Sequence, residues 1–344
     1  MKRILYLAII TFSFISCENE IPFDIKENPQ KLILNALIDA DKEENEIILG
    51  LTGRDKTDIV YEGSVDIYIN GVHKEHLLTI PSDLPDYGYL VAGVVKTHLR
   101  FSPDDTIRIE ARTDDGKHYA WAEVVVPHPV AIEKIDTSQF STTTWSSLDT
   151  YLRVKTTFTD DTKKANYYRI LMRGNLEIEA KEIGASDYEI FYETFATPLI
   201  VREDVVLTDG RPSVDEEQGI LTPVENIYGV FDDSRINGTY TMTTSLLIPY
   251  AYLNEIAYYN YYWGSYKYDD VKQIGISVKV KLLSISKDYY LYLKAANIGA
   301  GSSEDDYFSL PVKFHSNVEG GTGIVGVSIG SEVTIHLEDY IPRK

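Results

Sequence analysis

The sequence predicts a mainly β protein, with an N-terminal immunoglobulin-like or transthyretin-like β-sandwich followed by a larger β-rich domain that carries one short helix. Three observations predict it. From Lys31 to Val126, short apolar stretches alternate with polar residues at a period of two, which puts every second side chain on the same face of a strand. Between these stretches stand Asn70-Gly71 and Asp114-Asp115-Gly116, residues able to hold the positive backbone dihedrals that two-residue hairpins require. Past Val130 the strand pattern continues, and only the stretch after Ser286 carries the start and stop signals of a helix.

The chain opens with a different kind of segment. Lys2 and Arg3 precede an apolar core from Ile4 to Ile15, and Ser16-Cys17 ends it, the pattern of a signal peptide with a lipobox. A core of about a dozen residues is too short to span a bilayer roughly 30 Å thick. The pattern therefore predicts a leader over residues 1–16 and a lipidated Cys17. Glu18 to Gln30 is polar, holds two prolines and has no periodicity, so residues 17–30 read as a tether reaching at most about 3.5 Å per residue.

The first domain is expected over residues 31–128. Its strands are Lys31–Asp39, Glu46–Leu51, Val65–Ile69, Thr106–Thr113 and His118–Val126. Pro127-His128-Pro129 ends the last of them, because proline supplies no ladder donor and restrains its neighbour. The second domain, residues 129–344, has its clearest strands at Tyr151–Asp160, Asn166–Gly174, Tyr240–Pro249 and Gln273–Ser286. The helix follows, with Ser286 as N-cap, Asp288 in the first turn, apolar residues to Ala296, and Asn297 and Gly299 as the stop.

Charge and cysteine usage narrow the function. Acidic residues outnumber basic ones 53 to 33, a formal charge of -20 that becomes -22 once Lys2 and Arg3 leave with the leader. Such a chain offers no cationic face for phosphate, so nucleic acid is not an expected partner. Cys17 is the only cysteine. With its thiol acylated, no disulfide, zinc thiolate cluster or catalytic thiol is expected, and the fold must rest on its core. No apolar run after the leader approaches eighteen residues, so the chain is read as anchored to a membrane without crossing it.

Several motifs invite chemistry and fail on context. Gly321 to Gly326 matches G-x-G-x-x-G and Gly326 to Gly330 matches G-x-S-x-G. A dinucleotide site or a nucleophile elbow needs a helix after the glycines, whereas Glu332 to Leu337 is strand-like. These glycines read instead as a bulge or tight crossing beside a final strand. In His73-Lys74-Glu75-His76, simple strand alternation puts His73 and Glu75 on one face and His76 on the other, a solvated hairpin arm. Asp232 to Gly238 resembles half a calcium loop but lacks the acidic twelfth ligand, so it reads as a turn. No catalytic residue, metal site or cofactor is expected. The candidate recognition residues are Tyr258, Tyr259, Tyr261, Tyr262, Trp263, Tyr266 and Tyr268, since tyrosine offers rigid amphipathic contact area at low entropic cost. The alternative is that these tyrosines pave a sheet or a helix end.

The lipobox cysteine followed by Glu18 and Glu20, the KLILNALID and VDIYING strands, and Asn317, Gly320, Gly321 and Gly323 near the end together resemble the Bacteroidota lipoproteins grouped as domain of unknown function 4249. The resemblance covers nearly the whole chain after the leader. It implies an outer-membrane lipoprotein facing the cell exterior, held in outer-membrane lipid through acylated Cys17. It further implies a non-enzymatic accessory role beside a TonB-dependent nutrient transporter, with a peptide or glycan as ligand. A surface hydrolase using acidic residues on the second domain's loops, or a structural or adhesion component of the envelope, are the alternatives.

Overall fold

The computed structural model describes residues 29–53, 58–60, 62–81, 93–144, 147–182, 184–195, 200–210, 226–248, 268–301 and 313–337. The expected leader, Cys17 and the tether up to residue 28 lie outside these residues, as do Tyr258, Tyr259, Tyr261, Tyr262, Trp263 and Tyr266.

The five period-two stretches become the strands β1 (Leu32–Asp39), β2 (Asn45–Leu51), β4 (Gly63–Ile69), β8 (Thr106–Thr113) and β9 (Tyr119–Val125), and between them the structure adds β3 (Asp58–Ile59), β5 (Val72–Leu78), β6 (Ile80–Pro81) and β7 (Gly93–Thr97). Four of them form a sheet in the order β5-β4-β8-β9, while β1, β2, β7 and β6 form one end of a larger sheet. The alternation decides which side chains meet. Leu32, Leu34, Ala36 and Ile38 of β1, with Ile47 and Leu49 of β2, share one core with Val65, Ile67, Ile107, Ile109, Ala120 and Ala122 from the four-stranded sheet. Burying each of the larger aliphatic side chains stabilises the fold by roughly 1.5–3 kcal/mol before conformational entropy is counted.

The remaining elements are β10 (Lys134–Thr144), β11 (Ser147–Thr159), β12 (Tyr167–Glu182), β13 (Glu189–Phe195), β14 (Val230–Asp232), β15 (Thr239–Ile248), β16 (Tyr268–Ile285), α1 (Lys287–Gly301) and β17 (Thr322–Leu337). Strands β10-β11-β15 form a sheet of their own, and β13-β12-β16-β17 complete the large sheet by running into β1. A second core lies between them, with Leu152, Val154, Phe158, Met242 and Leu246 from the smaller sheet and Ile170, Ile276, Val278, Val280 and Leu282 from the larger. Of the candidate recognition residues, Tyr268 alone lies in a described element, where it opens β16.

Val126 belongs to the first core and Val130 to the second. The chain's last strand belongs to both. From Ile33↔Thr322 to Asp39↔Ser328, β17 pairs with β1 in parallel; from Ile285↔Ser328 to Ile276↔Leu337 it pairs with β16 antiparallel. Val325, Val327 and Ile329 therefore enter the first core, while Ile335 and Leu337 pack on the second. Lys281 Nζ donates to Asp39 Oδ2 at 2.9 Å across β17, an ion pair that spans the junction.

Helix α1 forms where its signals predict, with Ser286 in the N-cap position, its carbonyl accepting the Tyr290 amide at 3.0 Å, and with one correction at the expected stop. The Ser286 Oγ accepts the Val327 amide at 3.3 Å and so fastens β17. Asn297 does not stop the helix, which runs on to Gly301. It is buried inside α1, where its Nδ2 donates to Asn226 Oδ1 at 2.9 Å and its Oδ1 accepts the Tyr228 amide at 3.1 Å. A buried amide with both ends satisfied is tolerated in a helix interior, so a composition-based stop signal is overridden.

Candidate functional site

Outward-facing residues of the four-stranded sheet alternate with its core residues, and they form three cross-strand rows. His76, Asp66, Glu110 and Trp121 make the central row; Ser64, Arg112 and Tyr119 flank it on one side, and His73, Tyr68, Arg108 and Glu123 on the other. Simple alternation would send His73 and His76 to opposite faces. The structure corrects this: Tyr68 pairs with His73 while Ile67 pairs with Glu75, which leaves Lys74 as the extra residue of a β-bulge. The bulge turns both imidazoles onto Asp66, and Glu75 points the other way, to a hydrogen bond from Thr97 Oγ1.

The polar groups of this face form one connected network. His73 Nε2 lies 3.1 Å and His76 Nδ1 2.7 Å from Asp66 Oδ1, while Arg112 Nη2 donates to Asp66 Oδ2 at 3.0 Å. Arg112 also stands 3.8 Å from Glu110 Oε2, and Arg108 Nε donates to Glu110 Oε1 at 2.7 Å. The Arg108 guanidinium covers the Trp121 ring at 4.0 Å, and that of Arg112 lies 5.9 Å from the Tyr119 ring. Burial alone would raise the Asp66 carboxyl, but its hydrogen bonds with His76 and His73 and the Arg112 charge outweigh it and hold the pKa below the usual range. With Asp66 committed to Arg112, a cation is opposed there, and among the described residues no three or more His, Cys, Asp or Glu side chains are arranged to hold a metal ion.

That depression has a consequence for stability. A carboxylate with a lowered folded pKa contributes stability that is complete above its unfolded pKa of about 3.9 and is lost as pH falls through the lower folded value. Asp66→Asn is therefore expected to destabilise by about 2 kcal/mol at pH 7 and by clearly less near pH 2. Urea midpoints of the two proteins at both pH values check it.

The glycine-rich motif is what holds this face's aromatic edge. Glu319 pairs with Trp121 through both backbone groups, at 3.0 and 2.8 Å. Gly320 has φ +73, and a Cβ there would stand 2.7 Å from the Tyr119 carbonyl oxygen. One residue on, a Cβ at Gly321 would meet the Leu32 carbonyl oxygen at 2.4 Å, so within two residues the chain steps from the edge of the small sheet to the edge of β1. Asn317 ties the corner by donating to the Val325 carbonyl at 2.8 Å and accepting the Val325 amide at 3.0 Å. Gly323 then enters the parallel ladder with φ +118. These four residues position the edge of this surface. The family model of the domain of unknown function DUF4249 matches residues 18–332.

The chain belongs to the DUF4249 family. No curated protein matches it.

Elsewhere on this DUF4249 protein, an acidic pair in the second half comes nearest to catalytic furniture. Asn166 Nδ2 donates to Asp160 Oδ1 at 3.1 Å and lies 3.3 Å from Asp233 Oδ2, and the Tyr168 hydroxyl also donates to Asp160. Burial, together with the neighbouring Asp160 and Asp232 charges, raises the Asp233 carboxyl. Both carboxylates already serve the fold, since Asp233 Oδ2 accepts the Asn166 amide at 2.7 Å. The Asp232–Gly238 stretch is a turn as read, a short 3-10 helix over Asp233–Arg235 capped by the Asp232 side chain.

Sequence reasoning missed the outer face as a unit, although its signal was present. The strands carry Asp66 and Tyr68, then Arg108, Glu110 and Arg112, then Tyr119, Trp121 and Glu123, each at the period of two that marks one face. What hid it was the bulge at Lys74 and the order of strands within the sheet.

Proposed function

We propose that this DUF4249 protein is a Bacteroidota surface lipoprotein, anchored in outer-membrane lipid through Cys17, that serves as a non-enzymatic binding partner of a TonB-dependent nutrient transporter. The observation that carries the reading is the outer face of the four-stranded sheet, where Arg108 and Arg112 are braced over Trp121 and Tyr119 by Asp66 and Glu110. Arginine, tryptophan and tyrosine dominate the energetics of protein interfaces, and here their geometry is set before any partner arrives. The lipobox and the acidic residues behind it support the location, and the tyrosine-rich stretch supports a peptide or glycan ligand.

Copurification from membranes in mild detergent tests this reading. An outer-membrane transporter is expected in the eluate, and recovery of the lipoprotein without one sinks the proposal. Cys17→Ala is expected to move the protein from the membrane to the soluble fraction; a variant that stays membrane-bound rules out the lipid anchor. The rival hydrolase reading rests on Asp233, which lines a cavity of about 380 Å³ with Asp160, Lys163 and Lys164. Turnover of a peptide or glycan that Asp233→Asn abolishes would favour it.

A further inference from the structure

Strand β10 is the edge of the three-stranded sheet. Strand β11 takes one side of it over all eleven residues, from Lys134↔Thr157 to Thr144↔Ser147, and no strand takes the other side among the described residues. Asp136, Thr137, Ser138 and Gln139 are exposed in succession, so over these four residues both faces of the strand are bare. Free edges are ordinarily blunted by proline, charge, a bulge or shortness. From Thr137 to Thr144 the strand has neither charge nor proline, and its register with β11 is unbroken. At about 3.3 Å per residue this edge is roughly 36 Å long, and its row of N–H and C=O groups matches the backbone of another extended chain. Glu319 bridges Trp121 beside β9 and Ile200 bridges Ser245 beside β15, while the sheet-ending strands β5 and β13 are only seven residues long and carry charges.

We propose that β10 is a self-association edge, through which two copies of this chain join by antiparallel β10–β10 pairing about a two-fold axis at Gln139. The register argues for a second copy over a foreign strand. It sets Thr137 opposite Ser141 of the second copy, Asp136 opposite Thr142 and Lys134 opposite Thr144, so no like charges face each other. Hydroxyl pairs already bridge strands within this sheet, Ser141 to Thr150 at 2.9 Å, Thr157 to Thr241 at 2.9 Å and Thr159 to Thr239 at 2.8 Å, and the Thr137–Ser141 pairs continue them. Pairing eleven residues adds roughly ten backbone hydrogen bonds, the number an interface of ordinary size carries. Repulsion between two acidic copies is screened beyond about 8 Å at physiological salt. A two-fold axis uses up the β10 edge of both copies, and Ile200 bridges the far side of β15, so association through this sheet closes at two. The inference stands apart from the transporter, which it does not require.

The full chain in mild detergent provides the test. Light scattering at micromolar concentration is expected to give the protein mass of two copies, and the double variant Thr137→Lys/Ser141→Lys that of one, still cooperatively folded because both positions are exposed and only the Ser141–Thr150 hydrogen bond is given up. Gln139→Cys is expected to form a disulfide-linked dimer on mild oxidation, since opposed Cα atoms in an antiparallel pair lie about 4.5–5.5 Å apart, within the span a disulfide bridges. Asp136→Cys, about 20 Å from its counterpart in this register, is expected to remain unlinked. A wild-type mass of one copy, a dimer that survives the double lysine variant, or equal cross-linking at positions 136 and 139 overturns the proposal. Should the double variant keep its mass but lose the copurifying transporter, the edge takes a foreign strand and self-association is refuted.

Discussion

Gly323→Ala is expected to destabilise the protein by about 4 kcal/mol or to prevent folding. The glycine has φ +118, outside the region that alanine adopts, and a Cβ there would stand 2.2 Å from the Leu34 carbonyl oxygen and 2.8 Å from Asn35 Oδ1. Neither obstacle can yield cheaply. The carbonyl belongs to β1 in the parallel ladder, and Asn35 Oδ1 accepts the Ile324 amide at 3.1 Å. A control separates backbone strain from collision: Gly71 also has positive φ, at +77, yet a Cβ there would meet nothing within 4 Å. Gly71→Ala is expected to cost about 1 kcal/mol. Urea midpoints of the two variants decide it, and a Gly323→Ala protein no weaker than Gly71→Ala would mean that β17 does not run against β1 as described.

Trp121→Ala is expected to reduce transporter recovery at least tenfold while leaving the protein folded. The indole carries the Arg108 guanidinium at 4.0 Å, and removing it frees that arginine as well as an aromatic anchor, a loss of about 2 kcal/mol at an interface hot spot. Trp121→Phe keeps an aromatic face under Arg108 and is expected to recover most of the binding. The backbone bridge to Glu319 does not depend on the side chain, so the edge of β9 should persist. Unchanged recovery in both Trp121→Ala and Arg108→Ala would remove the outer face from the interface.

Both predictions rest on features that are only partly legible along the chain. The glycines stand out as a cluster, and they do make a close backbone crossing, but Gly323, Gly326 and Gly330 lie inside the final strand, which begins at Thr322 and not at Glu332. Which backbones cross there is invisible locally: Leu32 and Leu34 lie some 290 residues earlier. The two histidines illustrate the same limit on a smaller scale, since one bulged residue reverses the face that alternation assigns to His76.

Turn chemistry, capping and alternation act over a few residues at a time, so the amino-acid order alone specifies the β character and the positions of most of the longer strands and of the helix. Three further features exist only in the folded chain: a last strand shared between two cores, a polar and aromatic face assembled on the four-stranded sheet, and an edge at β10 that no described strand pairs. Strand order depends on which apolar faces can close over one another, a property of the whole chain, whereas each strand's own pattern states only that it has a face to bury.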